Sequence, residues 1–230
     1  MINNILHKFD STASKLQFSP TGNYDQLKLN MLNLKNRLKI AYLQKKDTLS
    51  KLQFLDSVGQ VFSTNLLNQI VPHWYGTEWD FEGYTSTPNK GTIACGYFVS
   101  TTLKDMGLNI NRYKLAQQNP KDEATTIAKK SEKYQYKNIS NFINLETLLS
   151  NIPEGLYFVG LDYHVGYFYK LETYSFFIHS NYITDRVMIE NAIESKAFKS
   201  ESYHFAEISK NQSLMYAWIF NIVVPLKQVD

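Results

Sequence analysis

From Tyr24 the apolar residues Leu27, Met31, Leu34, Leu38 and Ala41 fall at spacings of four and three. That is one face of an amphipathic helix, which the pattern carries to about Asp47. Leu52, Leu55, Val58, Phe62, Leu66 and Ile70 repeat the rhythm up to Val71-Pro72, so a second helix is predicted there. Residues 1–23 are polar and turn-rich and are expected to be loosely docked. Between His73 and Gly91 no period holds, yet Trp74, Tyr75, Trp79, Phe81 and Tyr84 crowd this loop. A long aromatic loop is costly to order unless it packs on or binds something.

A helix is predicted from Cys95 to Met106, with Gly107 as its C-cap. Residues 119–141 are polar and Lys-rich and read as an excursion from the core. Leu145–Ile152 is a short helix closed by Pro153-Glu154-Gly155. Strands are predicted at Leu156–Leu161, His164–Tyr169, Tyr174–His179, near Arg186–Ile189, and at Ala217–Val224. Helices first and antiparallel strands afterwards place the chain in the α+β class. Residues 1–70 form an N-terminal extension and helical hairpin, and residues 71–230 form the main domain.

Composition narrows the function. The net charge of +3 is small and evenly spread, without the basic stripe that nucleic acid requires. One cysteine excludes an intrachain disulfide and argues against a cysteine-based zinc site, so neither metal nor cofactor is expected. No apolar run reaches the ~18 residues of a membrane span. Met1–Pro20 lacks the apolar core of a secretory signal. Either the chain is not exported by that route or a signal has been removed. Asn138-Ile139-Ser140 fits a glycosylation acceptor, a pattern common by chance.

The lone thiol is the first candidate for chemistry. Cys95 stands where a helix begins, and unpaired N–H groups there favour a thiolate. Gly96 leaves space for another backbone to approach. From position alone, a buried and inert cysteine is as good a reading. His164 opens a strand after a tight turn, next to Gly166, and His179 lies on the following strand. A nucleophile needs a base within reach, and the base needs an orienting partner. Asn181 is a spare candidate for that last role. Arg112, Gln117 and Gln118 read as solvated surface ahead of substrate contacts, and His73 and His204 have no ligand set around them.

Three segments carry a family resemblance: Pro153-Glu154-Gly155-Leu156-Tyr157-Phe158, His164-Val165-Gly166-Tyr167-Phe168 and Phe177-Ile178-His179-Ser180. Together they resemble the C-terminal half of the NlpC/P60 cysteine peptidases, and upstream Tyr75-Gly76-Thr77 and Cys95 echo that family's tyrosine segment and nucleophile. The likeness spans residues 70–225 in outline. It implies a papain-like α+β domain with Cys95 as nucleophile, His164 as base and His179 as orienting residue. It also implies acyl transfer on peptide amides, with a peptidoglycan fragment as partner and a place in the periplasm or cell envelope. Tyr75 and Tyr84 compete for the position near the oxyanion. Trp79 and the rest of the aromatic loop, with Gly96, are expected to line the substrate site. The family usually carries Asp-Cys-Ser-Gly at the nucleophile, whereas this chain has Ala94-Cys95-Gly96-Tyr97. The implied catalytic set is therefore present and the implied grip on a stem-peptide amine is not. An amidase or acyltransferase on another substrate, or a binding module on the same fold, stays open.

Overall fold

A computed structural model describes residues 16–129, 133–137 and 145–227. Of residues 1–23, expected to be loosely docked, 1–15 lie outside the described residues, as does the Asn138 acceptor, whereas Leu16 is buried in the core and Gln17 N donates to Asn68 Oδ1. Helix α1 runs Tyr24–Leu43 and α2 runs Thr48–Asn65, each started by a side-chain cap, Asn23 accepting from Gln26 N and Asp47 from Ser50 N. The second predicted helix continues through a π-type turn, Leu66–Ile70, and a short 3-10 turn at Val71–His73. Then come α3 (Cys95–Asp105), α4 (Arg112–Ala116) and α5 (Pro120–Ala128). Gly107 closes the α3 region at φ +85°, as its C-cap role requires.

The second half is a six-stranded antiparallel sheet of order β1-β6-β2-β3-β4-β5. Its strands are β1 (Lys133–Lys137), β2 (Gly155–Gly160), β3 (Val165–Leu171), β4 (Tyr174–Asn181), β5 (Arg186–Asn191) and β6 (Ser202–Glu207). Helix α6 (Leu145–Ser150) precedes β2, and α7 (Gln212–Ile219) follows β6. The α+β class is borne out.

Two expectations fail. The run from Ala217 is not a strand: α7 reaches Ile219 and the chain then continues irregularly. Asn211 caps this helix, accepting from Leu214 N. Trp218 donates to Met106 O at 2.6 Å and meets Phe62 edge-on at 4.8 Å. Tertiary packing thus overrides a β-prone composition. Nor are residues 119–129 and 133–137, the described part of 119–141, an excursion. Ala124, Ile127 and Ala128 of α5 are buried in the main core, and β1 pairs with β6.

The sheet separates two cores. Leu156, Phe158, Val165, Tyr167, Phe176 and Ile178 face the helices, while Tyr157, Val159, Phe168, Phe177 and Phe205 face Ala197, Phe198 and α6. Such alternation is the period-two pattern of a sheet buried on both sides. The hairpin belongs to the helix-side core through Met31, Leu55, Val58 and Phe62. Buried Lys35 ties α1 down, donating to Gly107 O at 2.8 Å and Asn221 Oδ1 at 2.9 Å. No helix among the described residues is long and apolar enough to cross a membrane.

Candidate active site

Cys95 is the first residue of α3, and the backbone before it is tightly held. Ile93 N donates to Glu78 O, Ala94 N donates to Gly83 O, and Ser180 Oγ on β4 donates to Ile93 O at 2.7 Å. A Cβ on Gly83 would come within 2.6 Å of Ile93 N, so only glycine fits beneath this entry. The space left at Gly96 is used as expected: a Cβ there would lie 2.9 Å from Ala116 O and 3.2 Å from Glu123 Oε1.

His164 precedes β3, and its Nε2 lies 2.7 Å from His179 Nδ1 on β4. His179 Nε2 lies 2.8 Å from Glu190 Oε1 on β5. The line crosses neighbouring strands diagonally, because Met188 pairs with His179 and Glu190 pairs with Phe177. Gly166 makes the crossing possible. A Cβ there would meet Phe177 Cε2 at 2.6 Å and His179 Cβ at 2.9 Å. Ser195 Oγ donates to Glu190 Oε1 at 2.6 Å and fixes the far end.

The proton positions follow from the chain of bonds. Burial raises the Glu190 carboxyl, but hydrogen bonds from His179 and Ser195 outweigh it and leave the group below its ordinary value, ionised at neutral pH. A carboxylate only accepts, so His179 Nε2–H must donate to it. Burial lowers His179 more than Glu190 raises it, so the ring is neutral and Nδ1 accepts. His164 is then the donor through Nε2–H. Burial, and to a lesser extent His179, drive its pKa well below the usual histidine value, so its Nδ1 keeps a lone pair. Glu190 thereby dictates the tautomer of His164 two bonds away.

At Cys95 burial and the nearby Glu123 push the thiol up to about 11, against the backbone N–H groups of Val165, Gly96 and Cys95 itself. The helix start does favour thiolate as expected, but desolvation wins. The resting site therefore holds a neutral thiol and a neutral imidazole. What joins them is the Val165 amide, adjacent to His164 and bonded to the sulfur, and the cleft that both residues line.

That cleft, of about 860 Å³, is mostly apolar and rimmed by Trp79, Phe81, Tyr84, Tyr97, Tyr163 and Tyr182. Of the expected substrate residues, Trp79, Tyr84 and Gly96 line it. Tyr75 does not: it packs on the helix-side core, and burial alone raises its hydroxyl pKa. Between the two tyrosines, the cleft belongs to Tyr84. Tyr182, 5.1 Å from the His164 ring and 6.3 Å from Trp79, escaped the sequence because it lies just past β4.

Arg112 is neither solvated nor a substrate contact. It is buried, donating to Tyr84 O at 2.6 Å, Thr85 O at 3.2 Å and Thr101 Oγ1 on α3. Gln117 lines the cleft, while Gln118 donates to Lys227 O and accepts from Thr126. Asn181 supports Glu190, its Nδ2 at 3.3 Å from Oε1, and its Oδ1 receives Ile183 N. Glu190 itself was missed, because only the β4–β5 register brings it to His179. Among the described residues, no three His, Cys, Asp or Glu side chains are grouped to hold a metal ion.

No family model, no curated protein and no solved structure matches the chain.

Proposed function

We propose that this chain is a papain-like cysteine hydrolase of NlpC/P60 type, cleaving an amide or peptide bond, with cell-wall peptides outside the cytoplasm as its substrate. The observation that carries the reading is the hydrogen-bonded line His164–His179–Glu190, which ends at the cleft that also holds Cys95. Such a line gives the base its orienting partner and its working tautomer.

Cys95 attacks the carbonyl carbon while His164 Nδ1 takes the thiol proton in the same step. That order suits a thiol held neutral at rest, since no bare thiolate forms in a desolvated pocket. His164 then delivers the proton to the leaving amine. His179, bonded to Glu190, steadies the imidazolium in between. The Cys95 N–H at the start of α3 is the oxyanion donor, with Tyr84 lining the same cleft. Water frees the acyl group by the reverse sequence.

The aromatic wall supports a second reading, an amidase or acyltransferase taking an apolar amide. Lys199, Glu82 and Asp162 are the charged side chains on the cleft, and Asp162 is engaged by Glu201 N and Ser202 N. Incubation with a peptidoglycan digest, followed by mass spectrometry, tests the first reading. Release of stem-peptide fragments by wild type and not by Cys95→Ala is expected. Unchanged muropeptides, with turnover of N-acyl amides, move the assignment to the second reading. No Cys95-dependent turnover of either class overturns both.

A further inference from the structure

The hairpin leaves the outer face of α1 uncovered. Met31 and Lys35 are buried on its inner side, where Leu27, Leu34 and Leu38 pack against the core. At 3.6 residues per turn, Leu29, Leu32, Ile40 and Leu43 share the outer side, within an arc of about 80° and over about 21 Å of axis. Each of the four is between 45% and 61% exposed. The segment after α7 lies alongside, because Asn221 Oδ1 accepts from Lys35 and Lys39 Nζ stands 5.4 Å over the Phe220 ring. Its Ile222 and Val223 are exposed as well. None of these residues lines the cleft. Single exposed leucines are ordinary, but a continuous run marks a surface that meets something apolar.

Charge decides what it meets. From Tyr24 to Lys46 stand six cations against one acid, Asp25. That excess is larger than the +3 of the whole chain, so the remainder is net acidic and the charge is gathered here. Asp25 pairs with Lys28 at 2.7 Å, and Lys35 is spent on Gly107 O and Asn221 Oδ1. By helical geometry Arg37 borders the stripe on one edge and Lys39 on the other, and Lys45 and Lys46 follow at its end. None of these four forms an ion pair among the described residues. A second copy of the face would set Arg37 and Lys39 against like charges, which opposes self-association.

We propose that α1 is an interfacial anchor: its apolar stripe enters the headgroup boundary of an anionic bilayer, while Arg37, Lys39, Lys45 and Lys46 meet the anionic headgroups. The helix lies in the plane of the surface and does not span it, being too polar to cross. This anchoring does not rest on Cys95 as nucleophile, and it leaves the cleft unoccupied by lipid.

The test is cosedimentation of the full chain with vesicles of phosphatidylglycerol mixed with phosphatidylcholine, against phosphatidylcholine alone. Wild type should bind the mixed vesicles more tightly, and the preference should vanish between about 0.1 M and about 1 M salt as the screening length shrinks. Ile40→Glu with Leu43→Glu should weaken binding at least about tenfold. Arg37→Gln and Lys39→Gln should each weaken it about fivefold. Circular dichroism melts check folding; should the double acid variant unfold, Ile40→Gln alone decides. Cys95→Ala should bind as wild type does, whatever becomes of hydrolysis. No binding by wild type, equal binding to both vesicles, or variants that bind like wild type overturn the proposal. So does a dimer in sedimentation velocity that Ile40→Gln dissolves without any vesicle binding, which would give the face to a second copy. Absence of both vesicle binding and self-association overturns it too and leaves the face to another protein.

Discussion

His164 and His179 face each other through ring nitrogens, Nε2 to Nδ1 at 2.7 Å, with their ring planes nearly perpendicular at 79°. One of the two atoms must donate, and Glu190 decides which. A neutral imidazole chosen this way points its lone pair away from His179, so the line has a direction as well as a geometry.

Replacing Glu190 removes that choice. Glu190→Ala is expected to lower kcat by about tenfold or more, as loss of the favoured tautomer costs on the order of 1.4 kcal/mol. Glu190→Gln retains an oxygen acceptor and should lose less. His164→Ala, which deletes the base, should lose about 10²–10⁴-fold. Steady-state kinetics on the three variants checks the order; equal activity in all of them would remove Glu190 from the line.

The two histidines also set an acid limit. Both have pKa values lowered by burial, so the folded state binds fewer protons than the unfolded chain, whose histidines titrate near 6.5. Their contribution to stability is complete above that pH and is lost as pH falls below it. Glu190, depressed on folding, adds a loss in the same direction at lower pH. Thermal melts should fall from about pH 6.5 downward, whereas kcat should hold until the pH nears the lower, folded-state pKa of His164, where the base takes up a proton.

Glu123 works against this trend. Its folded pKa is raised above 4.5, so it costs stability increasingly as pH rises above that value. Glu123→Gln should therefore melt higher than wild type at pH 8, and the difference should shrink towards pH 4. An equal difference at both values would mean that ionisation plays no part.

Gly166→Ala tests the crossing point of the relay. The added methyl meets a phenyl edge and the His179 Cβ, both inside van der Waals contact. Overpacking of this kind costs about 1–3 kcal/mol. Denaturant unfolding should show that loss, with kcat reduced beyond any change in KM because His179 is displaced.

Arg112→Ala should loosen the cleft wall. Three acceptors, Tyr84 O, Thr85 O and Thr101 Oγ1, lose a guanidinium at once. A loss of about 2–3 kcal/mol is expected, with KM rising more than kcat falls. Lys at 112 should recover little, because an ammonium cannot fork between two carbonyls.

Local pattern carried much of the site into view. Cys95 at a helix start and His164 at a strand start are both read from periodicity breaks within a few residues. His179 follows because β3 and β4 form a short hairpin. Glu190 lies one hairpin further, and nothing in Arg186–Asn191 distinguishes it from a solvent-facing acid until the register is known. Arg112 and Glu123 hid for the same reason: charged residues in polar stretches read as surface, and only the packing of α4 and α5 against α3 buries them. At α7 the failure was different, since Trp218 and Ile219 suit a strand by composition and a helix by what they touch.

The division of the sheet into two cores bears on when the chain acquires reactivity. Cys95 arrives on a helix packed against one side, whereas His179 stacks at 3.9 Å on Phe177, which belongs to the other. Neither side alone assembles the pair. A chain still emerging from synthesis, with one layer docked, carries an idle thiol and a misplaced imidazole. On the proposed reading, reactivity is therefore acquired only when both layers are in place.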